Sequence, residues 1–140
     1  MNIDTMEAGR EIDTLMAEMM GWTCTIEDDP ANTAFLDANQ NYYIISDWLI
    51  QVQRGTLFMP SRSEDSAGIV ADWLVAQGLS LGVFTGRRDD KGQSVKAPDG
   101  KIVSSCVIVL GPGNVTKATA DTRPLAICRA ALKARERWGE

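Results

Sequence analysis

Along the first twenty positions apolar residues recur at helical spacing. On a 100° wheel Ala8, Ile12, Leu15, Met16, Met19 and Met20 share one face, and Glu7, Arg10, Glu11, Thr14 and Glu18 take the other. The pattern predicts an amphipathic helix, opened by Asp4 and Glu7 as a capping box and stopped at Gly21. Its methionines read first as core or subunit interface. Gly21–Gln40 has no period and many turn formers, so it predicts a surface loop, with Glu27, Asp28 and Asp29 as solvated charge rather than a cation site. Asn41–Val52 fits both periods. Tyr42, Ile44, Trp48, Ile50 and Val52 alternate as in a strand, while Ile44, Ile45, Trp48, Leu49 and Val52 suit a helix. Its aromatic and β-branched content favours the strand.

Ser61 and Glu64 predict the start of a second helix, with Ile69, Val70, Trp73 and Leu74 inward and Gly78 as its stop. From there the period changes to two. Leu79–Thr85, Ile102–Leu110 and Asn114–Ala120 read as three strands, the last two joined by a turn at Gly111-Pro112-Gly113. Between the first and second lies a polar arm, Gly86–Lys101, with a turn at Pro98-Asp99-Gly100. Asp121–Trp138 predicts the closing helix, capped by Thr122 with Pro124 in its first turn. Leu125, Cys128, Ala131, Leu132 and Trp138 form its apolar half, and Arg129, Lys133, Glu136 and Arg137 a largely cationic arc opposite. Nothing divides the chain, so residues 1–140 are expected to form one α+β domain. In it an antiparallel sheet with a meander carries N-terminal, middle and C-terminal helices, a sandwich of α/β/α type.

Charge changes this picture more than composition does. Residues 1–85 carry 3 basic and 13 acidic side chains, and residues 86–140 carry 11 basic and 6 acidic, so halves of −10 and +5 lie within a net −5. This suggests homo-oligomerisation through opposite halves, or a small anionic ligand on the basic one. The overall negative charge argues against extended nucleic acid. No stretch is apolar enough for a membrane span, and the acidic N-terminal segment has no signal core. Three separated cysteines, Cys24, Cys106 and Cys128, read as reduced thiols of a cytosolic protein. Histidine is absent, which removes Ser-His-Asp and Cys-His catalysis and the common zinc sites. No Walker loop, nucleophile elbow or metal-spaced cysteine pair occurs. The expectation is a binding protein without turnover, cofactor or metal.

The candidate ligand residues follow from that expectation. Arg87 and Arg88 can each grip a phosphate with a guanidinium fork, or be balanced by Asp89 and Asp90 on a solvated arm. Arg123 stands at a helix start and Arg129 mid-helix on the cationic arc, whereas Arg135 and Arg137 read as surface charge near the helix C-terminus. Arg62 precedes the second helix, where it could meet an anion or pair with Glu64 or Asp65. Phe84 offers a stacking face. Asn114 and Thr116 offer hydrogen bonds to a base or ribose, unless they serve the turn alone.

Three segments carry a family resemblance: AGREID at 8–13 running to Gly21-Trp22, RSED at 62–65 running to Ala71-Asp72-Trp73, and PLAICRAAL at 124–132. Together they resemble the phage ABA sandwich domain proteins, the last segment most specifically. Asn41–Met59 and the arm 86–101 depart from the pattern. The resemblance implies a phage product working in the host bacterial cytoplasm, with helices on both sides of a sheet. By analogy of size and layout it points to the anti-Thoeris sponges, oligomers that sequester cyclic ADP-ribose isomers and in some cases cyclic oligonucleotides. The alternative is a structural or protein-inhibitory accessory protein acting by protein contact.

Overall fold

A computed structural model describes residues 2–25, 32–46, 56–85, 87–88, 94–95 and 103–137. A single 3-10 turn, Ile3–Thr5, precedes helix α1, Arg10–Met19. The predicted capping box does not form, and the helix starts well after Asp4. The carboxylate of Asp4 pairs instead with Lys133, and the Met6 carbonyl is taken by Arg129, so this segment is held across the last helix and cannot wind. At the end of α1, Gly21 (φ 77°) donates to Glu18 and Trp22 donates to the Ala17 carbonyl, a Schellman termination that requires a left-handed residue.

The loop expected over Gly21–Gln40 is corrected in part. It contains β1 (Thr23–Thr25) and β2 (Asn32–Leu36), which join β3 (Tyr42–Ser46) and the short β4 (Thr56–Leu57) in a four-stranded sheet of order β1-β2-β3-β4. The β2 strand pairs antiparallel on both sides, so cross-strand partners supply the order that its own pattern does not announce. The strand reading of Asn41–Val52 holds through Ser46. Residues 47–55, with Trp48, Ile50 and Val52, lie outside the described residues, as do Glu27, Asp28 and Asp29. Trp22 stacks on Tyr43 at 4.2 Å between centroids and leans on buried Phe58 at 4.7 Å, tying the end of α1 to this sheet.

Helix α2, Glu64–Ala76, buries Ala67, Val70 and Leu74 and ends like α1, with Gly78 at φ 89° and Leu79 donating to Leu74. The second sheet is the predicted meander: β5 (Ser80–Thr85), β8 (Ser104–Gly111) and β9 (Asn114–Ala120) in the order β5-β8-β9, all antiparallel. Within the polar arm, β6 (Arg87–Arg88) pairs with β7 (Ser94–Val95), and the rest of the arm lies outside the described residues. Helix α3, Arg123–Arg137, begins where Thr122 Oγ1 accepts from the Leu125 N–H at 3.4 Å.

The α+β class read from the sequence is the one found, with α3 at its centre. It packs on β8 and β9 with one side and on α1 and α2 with others. Its sequence reads as apolar on one half of the helix only, yet Ala126, Ala130, Ala131 and Ala134 are buried with Leu125, Ile127, Cys128 and Leu132. Small side chains let neighbouring backbones close on it from several directions. The sheet's inner face contributes Ser104, Cys106, Ile108, Thr116, Ala118 and Ala120 to this core. Its outer face, which a second helical layer would cover in a sandwich, carries Phe84, Val109 and Val115, exposed by 54, 41 and 47%.

Candidate functional site

The cationic arc of α3 turns inward to the edge of the sheet. Arg129 Nη1 donates to the Thr119 carbonyl at 2.9 Å, Lys133 Nζ to Lys117 at 3.1 Å and Arg137 Nη1 to Val115 at 2.6 Å. Four residues of helix advance about 6 Å and two residues of strand about 6.7 Å, so every fourth residue of α3 meets every second carbonyl of β9. These three carbonyls face away from β8 on an edge strand, and the three cations cover them. Arg129 also donates from Nε (2.9 Å) and Nη2 (2.7 Å) to Met6 O. Its fork is therefore occupied by backbone, a tertiary role that the helical wheel does not reveal. Arg137, expected to be plain surface charge, also donates to buried Thr116 Oγ1 at 3.0 Å.

Arg62 is similarly engaged, reaching across to α1. Its Nε and Nη2 lie 3.3 and 3.0 Å from Oδ2 of Asp13, which is fully buried in α1. Ser61 completes the knot: its N–H donates to Asp13 Oδ1 at 2.7 Å, and its hydroxyl accepts from the Gly9 N–H at 3.0 Å. Desolvation pushes the Asp13 carboxyl above its ordinary range, against the lowering effect of Ser61 and Arg62. This group links the starts of α1 and α2. The sequence places Asp13 within a helix pattern and gives no sign that it is buried.

The remaining candidates divide between two ends of the meander. Phe84 lies on the outer face near the end of β5. At that end Arg123 Nη1 donates to Thr85 Oγ1 at 3.3 Å, and Arg123 Nε pairs with Glu64 at 3.2 Å. The strand Arg87–Arg88 follows directly, although its side chains lie outside what is described. Asn114 and Thr116 sit toward the opposite end. Ala120 pairs with Ser104, and Ser104 with Thr85, so Asn114 is six residues of strand away, about 20 Å. Asn114 Oδ1 is buried without a partner among the described residues. The eight candidates thus do not form one site: Phe84, Arg123 and the Arg87–Arg88 strand gather at the end of β5, while Arg62, Arg129, Asn114 and Thr116 lie elsewhere.

The sequence reading passed over the outer face of the sheet itself. Val107 and Val109 alternate with Cys106 and Ile108, so β8 is apolar on both faces, the pattern of a strand covered on both sides. That signal was available in the sequence. A shallow hollow of about 280 Å³ lies there, lined by Ser80, Leu81, Gly82, Phe84, Val107 and Val109.

Elsewhere, a hollow of about 310 Å³ lies between Trp22 and Trp73 beside Asp37. The Asp37 carboxylate accepts from the Asn39 and Asn41 N–H groups at 2.8 and 2.9 Å and from Asn41 Nδ2 at 2.9 Å, and so closes its own turn. No group of three or more metal-ligating side chains occurs among the described residues. No helix among them is long and apolar enough to cross a membrane.

No family model and no curated protein matches this chain. It is similar in structure to a phage protein from Bacillus cereus ATCC 14579, whose crystal structure is known at 2.0 Å. The identity is 22% and the TM-score 0.49, over 91% of this chain and 86% of that one.

Proposed function

We propose that this protein acts by binding rather than turnover, and that its outer sheet face meets a protein surface. The observation that carries this reading is that three of the four large exposed apolar side chains among the described residues, Phe84, Val109 and Val115, stand on that one face. Contiguous apolar surface of this kind marks contact sites, whereas single exposed apolar residues do not. In the phage setting that the sequence resemblance implies, the contact would occlude a host component. The test is capture from bacterial host lysate with the intact chain and with Val109→Lys, each checked for native circular dichroism. A protein retained by the first and lost from the second supports the reading. Identical captured sets refute it.

A second reading has its own observation. Phe84, Thr85, Arg123 and the start of the Arg87–Arg88 strand share one end of β5, with the Phe84 ring on the outer face and Arg123 bonded to Thr85 on the inner one, so an aromatic ring and a guanidinium flank the same strand end. This suits sequestration of a small cyclic nucleotide, the sponge activity that the resemblance brings by analogy, with Arg87, Arg88 and Arg123 on phosphate and Phe84 under a base. Incubation with cyclic ADP-ribose isomers and cyclic oligonucleotides, removal of free ligand and heat release distinguish the outcomes. Intact ligand supports sequestration, no retention rejects it, and altered product rejects binding without turnover.

A further inference from the structure

The two edges of the three-stranded sheet are treated differently. On β9 the outward carbonyls of Val115, Lys117 and Thr119 are covered by Arg137, Lys133 and Arg129. On β5 the pairing register settles which groups face out. Lys117 faces away from β8, so its partner Val107 points its N–H and C=O toward β5, where it meets Gly82. Ser80, Gly82 and Phe84 therefore bond inward, and Leu81, Val83 and Thr85 present theirs to the free edge. No hydrogen bond to these outward backbone groups is found among the described residues. Among the described residues one edge is blocked and the other is uncovered, and an exposed strand edge is a template for another strand.

We propose that β5 pairs antiparallel with β5 of a second copy, making a closed dimer with one six-stranded sheet of order β9-β8-β5-β5-β8-β9. The segment SLGVFT carries no charge, so two copies meet without like-charge repulsion. Its side-chain pattern fixes the register. Centred on Val83, Val83 faces itself, Leu81 faces Thr85, and Gly82 faces Phe84 of the partner. All six outward residues then exchange bonds in hydrogen-bonded pairs. On the outer face each phenyl ring lies across from a glycine, a pairing that fills the glycine gap. Each ring already leans toward the centre, because a Cβ at Gly82 would stand 3.3 Å from Phe84 Cε2 and Cζ. The two rings are diagonal neighbours within aromatic reach. Any larger residue at position 82 would fill the space between them. The blocked β9 edges end the sheet on both sides, so pairing stops at two copies rather than extending into a fibre. Neither functional reading above is needed for this inference.

The experiment is light scattering on the full chain over a concentration series, with two variants. The expected mass is twice 15.3 kDa for the wild type. Val83→Pro removes an outward N–H that is unused inside the protomer, so it should return the mass to 15.3 kDa with circular dichroism unchanged. In a Cys24→Ser background, Val83→Cys should cross-link to its own copy under mild oxidation. Thr85→Cys should not, since its twin lies roughly 14 Å away. A monomer at all concentrations overturns the proposal, as does a dimer that survives in folded Val83→Pro, or cross-linking as strong at position 85 as at 83.

Discussion

Removing the guanidinium of Arg62 tests the buried knot most directly. In Arg62→Ala, Asp13 stays fully buried and keeps the Ser61 N–H at 2.7 Å, but loses its cation and two donors at 3.0 and 3.3 Å. Breaking a buried pair from one side costs about 3–5 kcal/mol. With Ser61 retained and Arg62 partly open to solvent, the expected loss at pH 7 is at the low end, about 3 kcal/mol. At about 3–4 °C per kcal/mol for a chain of this size, the melting midpoint should fall by about 10 °C. The pH dependence carries a definite sign. Desolvation raises the folded-state pKa of Asp13 above the ordinary 3.8, so stability from this group is fullest below 3.8 and falls as pH rises toward the folded value. Without Arg62 two lowering influences vanish, the folded value rises further, and more stability is lost before neutrality. The variant's deficit should therefore be small below pH 4 and largest near pH 7. Asp13→Asn combined with Arg62→Ala should recover part of the loss, since no buried charge is then stranded. Urea unfolding of the wild type, Arg62→Ala, Asp13→Asn and the double variant at pH 4 and pH 7 measures this. A deficit below about 1 kcal/mol at pH 7, or one independent of pH, would show that the ion pair is not what holds these helix starts together.

The cations on the β9 edge yield a second expectation. Arg129→Ala should destabilise by about 2 kcal/mol, because it frees the carbonyls of Met6 and Thr119; unfolding unchanged within error would refute it. Replacing Arg129, Lys133 and Arg137 together by Ala should also promote concentration-dependent association through the uncovered edge, seen as growing light scattering. A non-associating triple variant would show that β9 needs no cover. The thiols give a third: Cys24 is exposed, while burial pushes Cys106 up to about 12 and Cys128 well above its ordinary range. A disulfide reagent at pH 8 should titrate one thiol natively and three in guanidinium, and two or more fast native thiols would contradict the packing. Fourth, Trp22→Ala should cost about 2–3 kcal/mol through loss of the contacts with Tyr43 and Phe58; a loss under 0.5 kcal/mol would remove this cluster from the core.

The sequence by itself determined the local parts. Periodicity placed α2, α3 and the meander, and Gly21 and Gly78 ended α1 and α2 because the chain must turn left-handed there. Thr122 capped α3 as its position demanded. These features depend on residues a few places apart, so the order of residues is enough to specify them. Tertiary structure decided what each element meets. The β2 strand exists because two others flank it, and Asp4 fails to open a helix because Lys133 holds it. The fate of the charged residues belongs to the same level. Arg62, Arg129 and Arg137 carry the same side chain, and the sequence offers no ground for sending one to a buried carboxylate 49 positions away and the others to carbonyls of β9. A cation on a helical wheel shows which way it points, but the strand brought beside it decides whether that charge is spent on the fold or left for a ligand.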